Sequence, residues 1–145
     1  MSEVRPVPTL GYWLPVWIWI AVILSASSLT GATLASVDFA ASDKLAHIFE
    51  FSVLGFLVHR RQRRQFGQGP LTALALAWVW GALVGGFDEC YQLLIPGRVT
   101  SWADWGADQL GAILGALLGM LIWVFMKSKD DVAGDAYEPS PGEDG

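Results

Sequence analysis

Apolar positions gather in four stretches of the chain, and each predicts a helix: residues 10–29, 42–60, 71–94 and 101–126. The first is apolar all round, carries Tyr12, Trp13, Trp17 and Trp19, and has Pro15 where a first helical turn would tolerate it. The second has a short apolar part, 45–58, but beginning it near Ser42 brings it close to the roughly 20 residues that a bilayer requires. Along it Asp43, His47, Glu50 and Leu54 recur at helical spacing, so one face is polar over its first half. The third is apolar through Val84 and turns polar only at its far end, with Asp88, Glu89 and Gln92. In the fourth, Ser101, Asp104, Asp108, Gly111, Gly115 and Gly119 form a single stripe, acidic first and glycine afterwards. Ser101 with Asp104 three residues on resembles a capping box, and the glycines suit close packing against a membrane helix.

The connections orient this pattern. Residues 59–70 read as a loop and hold Arg60, Arg61, Arg63 and Arg64, whereas 30–43 has no Lys or Arg before Lys44 and 93–104 has only Arg98. Cytoplasmic loops carry the excess of basic residues, which puts the arginine connection and both termini inside. The expected architecture is an all-α, polytopic membrane protein with four transmembrane helices, N-in and C-in. It comprises a cytoplasmic N-terminus (1–9), a membrane domain (10–129) and a disordered, acidic cytoplasmic tail (130–145). A cleaved leader is the rival for the first stretch, but Glu3 beside Arg5 makes a poor basic region and the run is tryptophan-rich.

Composition agrees with a membrane and removes one function class. Of 145 residues, 53% are hydrophobic and 16% charged, with eight Trp. The net charge of −5 is misleading, because Asp130, Asp131, Asp135, Glu138, Glu143 and Asp144 place six of the fourteen acids in the tail. The body is near neutral and its basic run lies between apolar spans, so nucleic-acid binding is not expected. Cys90 is the single cysteine, which leaves no internal disulfide, and a buried, inert thiol is the expected state.

Against that background the segment 86–108 stands out, with Asp88, Glu89, Gln92, Arg98, Asp104 and Asp108 between apolar runs. Ionisable groups in a span mark function by default. At about 1.5 Å of rise per residue, Asp43, Glu89 and Asp108 fall at one level near the outer surface, with His47 a turn deeper and Glu50 near the midplane. Asp43, Glu50, Asp88, Glu89, Asp104 and Asp108 outnumber Lys44 and Arg98. The surplus argues against a bare anion site and permits a divalent cation held by oxygens. The same residues could instead be ion pairs locking helices together, Lys44 with Asp43 and Arg98 with Glu89 or Asp104. Asp88 is read as such an interface charge.

Asp43-Lys44-x-x-His47, Glu89-x-x-Gln92, Pro96-Gly97-Arg98, Ser101-x-x-Asp104 and Gly111-x-x-x-Gly115 together resemble the VanZ-like family of small bacterial membrane proteins. That family is named after a protein associated with teicoplanin resistance. The resemblance covers about residues 25–120, and Asp108 stands where the pattern often has Asn. It implies residence in the bacterial inner (cytoplasmic) membrane and a cell-envelope context. Three readings follow. One is a factor that binds a membrane lipid, an envelope lipid precursor or a glycopeptide through Asp43, Lys44, His47, Glu50, Glu89, Gln92, Arg98, Ser101, Asp104 and Asp108. Another is an intramembrane enzyme acting on a lipid phosphate or ester, with His47 or Glu89 as general base and Arg98 stabilising negative charge. The third is an assembly protein whose Gly111, Gly115 and Gly119 face packs against a partner helix.

Overall fold

The computed structural model describes residues 9–28, 39–98 and 100–135; the expectations for the N-terminal segment, the connection 30–38 and the tail beyond 135 lie outside these. Four helices make up the described fold: α1 (Thr9–Ser27), α2 (Phe39–Phe66), α3 (Pro70–Gln92) and α4 (Trp102–Asp135). No strand occurs among the described residues. Three segments, Leu10–Ser27, Pro70–Gln92 and Trp102–Ser128, are long and apolar enough to cross a membrane. α2 has the length, but Asp43, Lys44, Glu50 and its arginines keep it out of that class.

The helix bounds correct the sequence reading in three places. α2 does not stop near residue 60 but runs through the whole arginine stretch to Phe66, so the true connection is Gly67, Gln68 and Gly69. Gly67 takes a positive φ of 61°, and the Gln68 N–H returns to the Gln62 carbonyl at 3.2 Å, which closes the helix end. Pro70 then starts α3 at a position where its missing N–H is no loss. Pro15 lies inside α1, not in its first turn, so the helix forgoes the bond to the carbonyl of Gly11. α4 continues past Met126 to Asp135.

Packing is inverted relative to a water-soluble bundle. Large apolar side chains such as Leu71, Leu83, Phe87, Leu94 and Phe125 face outward, while His47, Asp88, Gln92, Asp104 and Asp108 are buried. α2 and α4 approach closely because glycines line the seam. A Cβ at Gly115 would overlap the Ser52 carbonyl, one at Gly111 the Ile48 carbonyl, and one at Gly55 the backbone of Ala112. The glycine face is therefore filled by α2 of the same chain, and a partner helix would have to dock elsewhere. Val16 and Ile23 of α1 join Phe51, Leu54 and Val58 of α2, Ala77 and Val84 of α3 and Ala116 of α4 in the apolar core.

Candidate functional site

At one end of the bundle the polar residues of α2 meet those of α4 and of the α3–α4 connection. His47 donates from Nδ1 to Oδ1 of Asp108 at 2.8 Å, and both side chains are buried. Lys44 Nζ lies 3.0 Å from Asp104 Oδ1, and Arg98 Nη1 lies 3.7 Å from Asp43 Oδ1. The cross-helix partners thus differ from the expected ones. Lys44 takes Asp104 and not its neighbour Asp43, since adjacent residues on a helix point about 100° apart.

Local backbone chemistry explains how Arg98 and Asp104 reach these places. Pro96 and Gly97 occupy the centre of a turn closed by the Arg98 N–H on the Ile95 carbonyl at 3.2 Å. Gly97 has φ 83°, the left-handed value that the third residue of a type II turn requires. Ser101 caps α4, its Oγ accepting the Ala103 N–H at 3.2 Å. The reciprocal half of the box comes from another helix: Glu89 Oε2 accepts the Ser101 N–H at 2.8 Å. Asp104 leaves that N–H to Glu89 and pairs with Lys44 instead.

Asp88 forms a second knot, at a helix interface as the sequence reading had it. It is wholly buried, and its Oδ2 accepts from Ser27 Oγ at 2.8 Å and from Gln92 Nε2 at 2.9 Å. As an interface charge it ties α1 to α3. Tyr91 adds a hydroxyl contact to Ser28 Oγ at 2.8 Å. The i, i+4 spacing of Asp88 and Gln92 was visible in the sequence; Ser27 gave no signal, being one of several small residues at the end of an apolar run. Glu50, one turn beyond His47, has no side-chain hydrogen bond among the described residues. Its backbone carbonyl accepts the Trp19 indole N–H at 2.7 Å.

Several buried acceptors and donors in this region have no partner among the described residues: Asp88 Oδ1, Glu89 Oε1, Asp108 Oδ2 and Arg98 Nε. Orphaned groups of this kind are costly unless something fills them. Asp43, His47 and Asp104 each bring one ligand atom within 4.8 Å of the others, a spacing that suits a divalent cation. Lys44, Arg98 and Asp108 already engage these three, so a cation would have to displace part of the ion-pair set.

Beside the cluster runs a cavity of about 480 Å³ between α3 and α4. Glu89 and Ser101 form its polar edge, and Leu93, Trp102 and Trp105 its apolar walls. Cys90 also lines it and is exposed, which corrects the expectation of a buried thiol. Trp105 is fixed by its indole N–H on the Ala82 carbonyl at 3.3 Å.

A family model described as VanZ/LLP1 matches residues 11–125. No curated protein and no solved structure matches the chain.

Proposed function

The chain belongs to the VanZ/LLP1 family, and from that premise we propose that it is a multi-pass protein of the bacterial inner membrane that binds an amphipathic envelope ligand. All four helices span, both termini lie inside, and the polar end faces out. The ligand is an envelope lipid or a glycopeptide-type molecule, and the function is tied to the cell envelope and to glycopeptide (teicoplanin-like) resistance.

One observation carries this reading: Glu89 and Ser101 sit at once on the apolar cavity and beside the ion-paired cluster. A ligand with one greasy and one polar part satisfies both. The acid-rich cluster suits a headgroup rich in hydrogen-bond donors, such as a sugar or an amine, and Arg98 suits one carboxylate or phosphate on the same molecule. Apolar walls of Leu93, Trp102 and Trp105 suit a chain or aromatic portion. Mass spectrometry of lipids copurifying with the protein, with and without a chelator, tests the proposal. An amphipathic ligand should accompany the wild type and be lost from Glu89→Ala; the same lipid profile in both would sink it.

A second reading rests on the His47–Asp108 pair. A carboxylate on Nδ1 orients an imidazole and leaves Nε2 as the nitrogen that could take a proton from water or a hydroxyl. The protein would then hydrolyse or transfer a lipid phosphate or ester. His47→Gln separates the two: binding survives a neutral hydrogen-bonding replacement, whereas turnover does not.

A further inference from the structure

At the opposite end of the bundle, α2 and α4 enclose a cavity of about 200 Å³ lined in part by His59, Arg60, Arg64, Gly119 and Trp123. We propose that this cavity holds the phosphate of an anionic phospholipid, as a site separate from the acid-rich pocket.

His59 is the central observation. Its side chain is 1% exposed, yet neither ring nitrogen has a hydrogen-bond partner among the described residues. A buried imidazole with two idle nitrogens is expensive, and an acceptor reaching into the cavity removes the cost. Gly119 lets α4 pack against the ring at the cavity edge, because a Cβ there would come within 2.8 Å of His59 Nδ1. Arg60 and Arg64 stand one turn apart on α2, both exposed, and neither has an ion pair among the described residues. Among the described residues no carboxylate lines the cavity. Two guanidinium groups and an imidazole donor match the oxygens of a phosphate diester.

The walls decide between a lipid and free phosphate. Ile122 and Met126 also line it, with Phe56, and are themselves exposed on the apolar outer face of the bundle, 41% and 49%. The cavity therefore opens where acyl chains would lie. Arg63 stacks over Trp123, Cζ 4.5 Å from the ring centroid, and holds that wall in place. Twelve positions of α2 separate His59 from His47, about 18 Å along the axis, so one ligand of headgroup size does not reach both.

The test uses the full chain in nanodiscs of mixed phosphatidylglycerol and phosphatidylethanolamine, with the lipids that remain bound after detergent extraction read by native mass spectrometry. Severalfold enrichment of phosphatidylglycerol is expected for the wild type, falling to the bulk ratio in the Arg60→Gln/Arg64→Gln double variant and in His59→Phe. The two arginines are exposed, so the double variant tests the site even where His59→Phe fails to fold. Glu89→Ala, at the other end, should keep the enrichment, which separates this site from the proposed envelope-ligand pocket. Absence of enrichment, its survival in the double variant, or its loss in Glu89→Ala would each overturn the proposal. Complete displacement by excess inorganic phosphate would assign the cavity to free phosphate and overturn the lipid assignment.

Discussion

His47 on α2 and Asp108 on α4 meet through Nδ1 and Oδ1 at 2.8 Å, and Asp108 is wholly buried against Gly85 of α3. Three helices thus converge on one carboxylate. Asp108→Asn keeps an acceptor for the His47 N–H and should change stability little. Asp108→Ala leaves that donor buried and unpaired, a cost of about 1–3 kcal/mol. Thermal unfolding in detergent should therefore rank wild type and Asp108→Asn together and Asp108→Ala well below. Equal midpoints for the two variants would mean that the hydrogen bond contributes nothing.

The α2–α4 seam gives a second test by paired glycine substitutions. A methyl at Gly115 collides with the Ser52 carbonyl, backbone against side chain, where nothing flexible can yield. Gly115→Ala should cost about 1–3 kcal/mol or more. Gly106 meets nothing within 4 Å, so Gly106→Ala on the same helix should be neutral or stabilising by about 0.5–1 kcal/mol. Yield of monodisperse protein and unfolding midpoint together check the contrast. If Gly115→Ala behaves like Gly106→Ala, the close approach of α2 and α4 is wrong.

How much of this was legible beforehand differs by level. The three apolar helices follow from run length, and the turn at Pro96-Gly97 from residue chemistry. The extension of α2 through four arginines did not, because Gly67 and Pro70 made the basic run look like a loop. Arginine is a good helix former, and here Arg61 is buried with its guanidinium 3.3 Å over the Trp13 ring, a partner on another helix that no local pattern reveals. In the site, helical spacing put Asp43 and His47 on one face but could not say which residues of α4 they would meet. Glu89, and not Asp104, takes the Ser101 N–H, while Asp104 pairs with Lys44. That substitution depends on how α3 is rotated, which is tertiary information.

Anchoring of α1 can be tested at its last turn. Ser27 Oγ donates to buried Asp88, whereas exposed Ser25 Oγ bonds back to the Ala21 carbonyl of its own helix at 2.7 Å. Ser27→Ala should lower stability by about 0.5–1.5 kcal/mol and increase hydrogen exchange over α1. Ser25→Ala should do neither. Equal effects would remove Asp88 as the tie between α1 and α3.

Cys90 offers a native probe of the cavity between α3 and α4. It is exposed and lines that cavity, so a membrane-soluble maleimide should label it in the purified protein. An amphipathic ligand seated along Leu93 and Trp105 should slow labelling severalfold, and Glu89→Ala should abolish the protection. Labelling that is indifferent to added envelope lipid would place the ligand elsewhere.

The proposed orientation is the premise on which an outward-facing pocket depends, and two connections report it. In a Cys90→Ser background, Gln68→Cys sits between α2 and α3, and Leu94→Cys sits just past α3, beside the turn that carries Arg98. α3 has 23 residues, about 35 Å of helix, so these two positions belong on opposite sides of one bilayer. In the proposed orientation Gln68, next to the arginines, lies inside. A membrane-impermeant thiol reagent applied to intact cells should label Leu94→Cys and leave Gln68→Cys untouched until the cells are opened. The reverse pattern would turn the acid-rich cluster toward the cytoplasm. The ligand would then have to be one made or presented on the inner leaflet.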